Sequence, residues 1–274
     1  MRVGPPFVDK PICGKKMESV ANLQRFQAFL LRTYPAINGA AKLLAGRYSE
    51  VIRQTLPKGN LEIEAVIGRK NGNSFSNAVP QETVAMLISL LDSFDGWVEK
   101  TDWTLSYDYY IKKHERVRVT HHKDQRTHDH IIKKSLACDD FNYKQFGPLG
   151  GFCVRVNMKL EQDVPDNGKV AHEFQSVKIS MRRSFVISSV SLPKIKFRLD
   201  LGESWFGATV AEAESNRAAK EGVGTVECEI LNTPVADILA EQDKYLLFTS
   251  LLLKVQDLFD FTSPPELCAF LHTL

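Results

Sequence analysis

The stretch NLEIEAVIG, Asn60 to Gly68, decides how the chain folds. It is an apolar, strand-forming run with two glutamates, Glu62 and Glu64, set two residues apart in its middle. Successive side chains of a strand point to opposite faces, so both carboxylates share one face while Ile63 lies on the other. TVECEIL, Thr225 to Leu231, repeats the device far downstream with Glu227 and Glu229. A sheet that buried these faces in hydrocarbon would have to neutralise each charge or give it a ligand.

Outward from these two stretches the same period of two continues with the opposite charge. HERVRVTHH sets Arg116, Arg118 and Thr120 against Val117 and Val119. CVRVNMKLEQ sets Arg155, Asn157, Lys159 and Glu161 against Val154, Val156, Met158 and Leu160. SVKISMRR sets Lys178, Ser180 and Arg182 against Val177, Ile179 and Met181, and IKFRLDL sets Lys196, Arg198 and Asp200 against Phe197, Leu199 and Leu201. Each strand has an apolar face and a charged one. The plain reading is a sheet with a solvated outer face. The sorting of the charges favours another: carboxylate pairs come from two strands and Arg and Lys from four. Helices at the margins can cover an apolar exterior, and the charged faces then line a closed barrel. Such a lining is costly unless a cation and a polyanion enter it, and a metal-bound polyphosphate supplies both. Mg²⁺ or Mn²⁺ takes oxygen ligands from carboxylates, and Arg and Lys bind phosphoryl oxygens.

The remaining elements are helices. The lead-in to about Pro57 carries Leu23, Phe26, Phe29 and Leu30 at helical spacing; a helix begins at about Gln81, with Val84, Leu87, Ile88 and Leu91 on one face; another spans roughly Gly207 to Lys220; and a tail helix covers about Asp237 to Phe259. The tail helix packs on the barrel or binds a partner. The expected architecture is mainly β (α+β): a closed eight-stranded antiparallel β-barrel with flanking helices outside. Residues 1–57 form an N-terminal extension and helix, and residues 58–274 form the tunnel domain with its C-terminal helix.

Composition bounds the setting. The 274 residues carry 43% hydrophobic and 25% charged side chains, with a net charge of +2, ordinary for a globular protein. The mildly basic balance permits a nucleic-acid or polyphosphate partner. No apolar run approaches the roughly 18 residues that cross a bilayer, and the N-terminus has no continuous apolar signal region. The five cysteines are scattered without a CxxC, as expected in a reducing compartment. His121, His122, His128 and His130 cluster beside Lys123, Asp124, Gln125 and Arg126, which reads as a solvated hairpin tip in preference to a zinc site. Asp139 and Asp140 read as turn residues. Trp97, Trp103, Tyr107, Tyr109 and Tyr110 read as core and rim aromatics.

LEIEAVIG and VECEIL resemble the first and last signature strands of the triphosphate tunnel metalloenzymes, in particular the fungal and protozoan type of mRNA 5′-triphosphatase. The resemblance runs from about Asn60 to Leu231 with the motifs in the family's order. It implies an eight-stranded antiparallel tunnel that hydrolyses the γ-phosphate of 5′-triphosphate RNA, the first step of cap formation, and also nucleoside triphosphates with Mn²⁺. It implies Glu62, Glu64 and Glu229 as ligands of Mg²⁺ or Mn²⁺, with Glu227 as their water-holding companion. RVRVT is similar to the strand whose arginine binds the γ-phosphate, which implies Arg118. VRVNMKLE is similar to the strand whose glutamate orients the attacking water, which implies Glu161, with Arg155 on the same face. RRSF implies Arg182, FRLDL implies Arg198 and Asp200, and HIIKKSL implies Lys133 as a phosphate ligand. The chain departs from the pattern at Thr225, where a third glutamate is frequent, and at Ser180, where a lysine is usual and Lys178 is the substitute. Val66, in place of a lysine, separates it from the ExExK branch. The expected setting is the nucleus, with the 5′-triphosphate end of RNA and the capping guanylyltransferase as partners, and with a monomer favoured while the oligomeric state stays open. Two alternatives stand beside it: a tunnel hydrolase of nucleotides or inorganic tripolyphosphate, and a non-catalytic barrel that binds RNA or another ligand.

Overall fold

The structure is a computed structural model that describes residues 34–55, 60–122, 125–142, 152–165, 174–189, 192, 195–231 and 241–260. The expected helix around Leu23 to Leu30, the hairpin residues Lys123 and Asp124, and the start of the tail helix before Glu241 lie outside them. Among the described residues ten strands follow in chain order: β1 (Asn60–Asn71), β2 (Ser74–Ser76), β3 (Glu99–Lys100), β4 (Thr104–Lys112), β5 (Glu115–His122), β6 (Gln125–Asn142), β7 (Cys153–Asp163), β8 (Ser176–Ser188), β9 (Lys196–Gly207) and β10 (Val223–Leu231). The helices are α1 (Pro35–Thr55), α2 (Gln81–Asp92), α3 (Val210–Ala218) and α4 (Glu241–Asp260).

Eight strands close into a barrel in the order β10, β9, β8, β4, β5, β6, β7, β1, every pairing antiparallel. Closure comes from the stretches with paired glutamates: Glu64 lies opposite Glu229, and Val66 opposite Glu227, between β1 and β10. Short β2 extends β1 through a two-residue turn in which Gly72 has a φ of 58°, a conformation open to glycine at no cost. Short β3 pairs with β8.

The barrel is apolar outside and charged inside. Ile63, Ala65, Val154, Val156, Phe197, Leu199, Cys228 and Ile230 are buried in one cluster with residues of α1, α2 and α4. Leu44 and Tyr48 of α1, and Leu247, Phe248, Leu251 and Leu252 of α4, belong to the same cluster. A smaller cluster joins Val177, Ile179 and Trp205 to Ala213 of α3, with Tyr107 and Tyr109 packed against it. The hydrophobic core therefore lies between the barrel wall and its helices, leaving the lumen to polar groups. Within the wall, Gly202 of β9 is a required small residue, because a Cβ there would lie 2.2 Å from the carbonyl oxygen of Met181 on β8.

Two boundaries differ from expectation. Strand β9 runs through Gly207, and α3 begins later, at Val210, because the Thr209 hydroxyl caps the Glu212 amide at 3.2 Å and so fixes the first turn. Asp139 and Asp140 are strand residues of β6, not turn residues. They are held by cations of neighbouring elements: Arg47 of α1 contacts Asp139 at 2.9 Å, and Lys70 and Arg155 contact Asp140 at 3.1 and 2.7 Å. The histidines sit on the β5–β6 hairpin, where His128 is exposed and His130 meets Glu115 at 3.1 Å. Tyr107 and Tyr109 pack on the outer wall and Trp97 on the main core, while Trp103 is exposed.

Candidate active site

The lumen is a cavity of about 400 Å³, lined from all eight barrel strands. Strand parity places every predicted site residue on its wall: Glu62 and Glu64 from β1, Arg118 from β5, Lys133 from β6, Arg155 and Glu161 from β7, Lys178 and Arg182 from β8, Arg198 and Asp200 from β9, and Glu227 and Glu229 from β10. The partners on the other parity, Ile63 and Val117, are buried outside the lumen. Parity therefore settles which side chains meet.

On one side the carboxylates gather. Glu62 and Glu64 are almost fully buried, and Glu229 is brought beside Glu64 by the β1–β10 register. Lys133 bridges Glu62 and Glu161, reaching Glu161 Oε1 at 2.5 Å. Lys159 contacts Glu64 and lies 3.4 Å from Glu62 Oε1, and Asn157 donates to Glu64 Oε1 at 2.9 Å. Glu229 accepts from Arg198 Nη2 at 2.5 Å.

Burial alone would raise Glu62, but hydrogen bonding with Glu161 and the charges of Lys133 and Lys159 outweigh it and hold this carboxyl well below the usual range. Glu64 is pushed the other way, first by burial and then by the facing charges of Glu227 and Glu62, against one opposing ammonium from Lys159. Burial likewise raises Glu229 to about 6, despite Arg198. Glu161 is raised by burial and by hydrogen bonding with Glu62. Burial is the first cause of each rise, and Glu62, Glu64, Glu161, Glu227 and Glu229 line this side with Lys133, Lys159 and Arg198 as the cations paired to them.

The other side is cationic and held by two buried aspartates. Asp108 of β4 is fully buried. It accepts from Arg118 Nε at 2.6 Å and Nη2 at 2.9 Å, with Arg116 3.5 Å away. Burial opposes its ionisation, yet these guanidiniums keep it ionised far below the usual range. Asp200 accepts from Arg198 Nε at 3.0 Å, from Arg182 Nη1 at 3.2 Å and from the Ser184 hydroxyl at 2.5 Å. Arg155 is held in the same manner, its Nε and Nη2 taken by Asp140, and in addition its guanidinium carbon lies 4.2 Å from the centroid of the Phe75 ring of β2.

Hard dications take carboxylate oxygens, and the donor set here fits one. Buried Glu62 and Glu64 and half-buried Glu229 stand on adjacent strands, with Glu64 opposite Glu229 in register. Among the described residues, no three His, Cys, Asp or Glu side chains converge on one point. Their rotamers turn instead to Lys133, Lys159 and Arg198.

Sequence reasoning missed Asp108 and gave no role to Lys159, Asn157 or Phe75. The signal for Asp108 was present: LSYDYY alternates Leu105, Tyr107 and Tyr109 with Ser106 and Asp108, which marks Asp108 as a lumen residue once the strand is assigned.

Solved structures of one RNA triphosphatase share this fold. The RNA triphosphatase Pct1 of S. pombe matches with a TM-score of 0.58 at 14% identity, over 81% of this chain and 93% of that one. Pct1 in complex with the Spt5 CTD matches at 0.59 and 13% identity over the same shares. The Mimivirus capping enzyme triphosphatase matches at a TM-score of 0.46 and 10% identity, over 77% of this chain and 94% of that one. The chain has the triphosphate-tunnel fold. No model of a protein family matches the sequence, and no curated protein matches it significantly. Among the described residues, no helix of the tunnel protein is long and apolar enough to cross a membrane.

The pKa of Glu229 gives a testable sign. An unfolded carboxyl ionises near 4.5 and the folded one at about 6, so the folded state binds more proton between these values and stability falls as pH rises through that window. The loss amounts to about 2 kcal/mol by linkage. Thermal unfolding of the metal-free protein from pH 4 to 7 should show a steeper decline for wild type than for Glu229→Gln. Parallel curves contradict the assignment.

Proposed function

We propose that this tunnel is a metal-dependent RNA 5′-triphosphatase, removing the γ-phosphate of triphosphate-ended RNA to leave a diphosphate end, the substrate state for cap addition. One observation carries the proposal: a closed lumen in which buried carboxylates face a wall of guanidiniums held in place by Asp108 and Asp200. Glu62, Glu64 and Glu229 would hold Mg²⁺ or Mn²⁺. That ion, when bound, neutralises charge on the γ-phosphate. Arg118, Arg182 and Arg198 donate to the phosphoryl oxygens, and Lys133 and Lys178 add positive charge around them. Asp108 fixes the guanidinium plane of Arg118, and Asp200 those of Arg182 and Arg198, so little reorganisation is needed when phosphate enters. Glu161 accepts a proton from the attacking water as its oxygen bonds to the γ-phosphorus. The bond from that phosphorus to the bridging oxygen breaks, and the electron pair leaves with the β-phosphate.

The cellular context follows from the same reading: a nuclear protein acting beside the capping guanylyltransferase, with nucleoside triphosphates as additional Mn²⁺-dependent substrates. Pct1 is solved in complex with the Spt5 CTD, and an analogous partner belongs to this proposal. Phosphate release from triphosphate RNA, a nucleoside triphosphate and inorganic tripolyphosphate, each with and without Mg²⁺ or Mn²⁺, tests the substrate class. RNA is expected to be turned over at the lowest substrate concentration. A preference for tripolyphosphate would move the protein to the other branch of tunnel hydrolases.

Glu161→Gln separates the proton acceptor from the metal ligands. It should lose turnover by roughly 10²-fold, the scale of a general base, while Mn²⁺ affinity, measured by calorimetry, stays near wild type. Loss of Mn²⁺ binding in this variant would make Glu161 a ligand instead.

A further inference from the structure

Lys159 lies on β7 with its Cα opposite that of Glu62 on β1. Its ammonium touches Glu64 Oε1 and sits 3.4 Å from Glu62 Oε1, and the side chain is only 23% exposed. It therefore stands between the two carboxylates that a dication needs from β1. Lys133 does a different job, occupying the other oxygen of Glu62 together with Glu161. The reaction outlined above uses Lys133 and leaves Lys159 without a part.

We infer that Lys159 is a tethered competitor for the metal, an ammonium that fills the β1 carboxylates in the metal-free tunnel and must be displaced when a dication binds. The inference rests on the metal-dependent reading of the site. Glu64 Oε1 accepts from both Lys159 and Asn157, which together occupy its two lone pairs, so a dication bonds to that oxygen only when one of the donors leaves. Displacement is favourable only when the incoming ion brings more charge than the one leaving. A monovalent cation replaces one positive charge with one and gains nothing for the neighbouring Glu227 and Glu229. A dication brings a second charge to them. The lysine thus keeps the empty carboxylates from repelling one another and acts as a charge filter against monovalent ions. The flexible four-carbon stem lets the ammonium leave without moving the strand, as a rigid guanidinium fork would not.

The experiment is Mn²⁺ binding to the full chain by titration calorimetry, together with thermal unfolding in a chelator and in saturating Mn²⁺. Lys159→Met keeps the stem and removes the charge. It should bind Mn²⁺ more tightly by roughly 10- to 100-fold, the scale on which groups touching metal ligands alter affinity. Its melting temperature should fall below wild type in chelator, and that deficit should close in Mn²⁺. Lys159→Gln should shift affinity in the same direction and serves if the methionine variant does not fold. Unchanged or weaker Mn²⁺ binding in the neutral variants overturns the inference, since the lysine would then be a support for the ligands. The two ideas fail separately: wild type that binds no Mn²⁺ refutes the metal-dependent reading, whereas wild type that binds it with Lys159→Met unaltered refutes only the role of the lysine.

Discussion

Glu64→Ala is expected to abolish turnover, with kcat down by roughly 10³-fold or more, and Glu62→Ala and Glu229→Ala are expected to match it. Each variant removes one charged oxygen from a site that must hold a dication against a polyphosphate. A lost metal contribution of about 4 kcal/mol corresponds to that factor. The three act as one unit, so their losses should not add. The fold should persist, because the apolar core lies outside the barrel and none of these side chains enters it. Burial and the neighbouring carboxylates already disfavour the ionised Glu64, and Lys159 keeps Glu62 as a partner when Glu64 is removed, so the metal-free protein should stay folded. Circular dichroism checks the fold and phosphate release checks the chemistry. Activity within tenfold of wild type in all three variants refutes the metal assignment.

The second large effect is on stability. Asp108 is the fully buried anion between Arg118 and Arg116, and Asp108→Ala leaves both guanidiniums without it. Removing one partner of a buried ion pair costs about 3–5 kcal/mol, which for a domain of this size lowers the melting temperature by roughly 10 °C. The contribution also has a pH sign. Because the folded pKa is depressed, the stabilisation is present above the unfolded value near 4 and is lost as pH falls through the folded value. The wild-type advantage over Asp108→Ala should therefore shrink in acid. A change of melting temperature below about 2 °C at neutral pH contradicts the role given to Asp108. Turnover should fall as well, since Arg118 would lose its fixed plane.

The closed barrel and most of its lining were legible because one physical rule, the two-residue period of a strand, sorts side chains into lumen and wall. Ile63 beside Glu62 and Val117 beside Arg118 show the rule at work. The helix from Gln81 was readable from Val84, Leu87, Ile88 and Leu91, all of them buried. Local pattern fails where a residue's meaning depends on its neighbour across the barrel. Asp108 sits among tyrosines that suggest a rim, and only the pairing of β4 with β5 brings it to Arg118. Lys159 looked like one more cation until the register of β7 with β1 set it opposite Glu62. Asp139 and Asp140 were misread because β6 runs for 18 residues, through an irregularity between Ser135 and Ala137, well past the usual strand of about 5–6. The irregularity interrupts the two-residue period, so the carboxylates beyond it look like the beginning of a turn. The Gly207 boundary failed for a related reason: glycine suggests a break, while here the strand continues and Thr209 starts the helix.

The most direct test of the central claim is the fate of individually labelled phosphates on 5′-triphosphate RNA incubated with the full chain and Mg²⁺ or Mn²⁺. A γ-label is expected to appear as inorganic phosphate while a β-label stays on the RNA, with both outcomes dependent on the metal and lost in Glu64→Ala. Release of the β- and γ-labels together as pyrophosphate, or retention of the γ-label under every metal condition, would contradict the account.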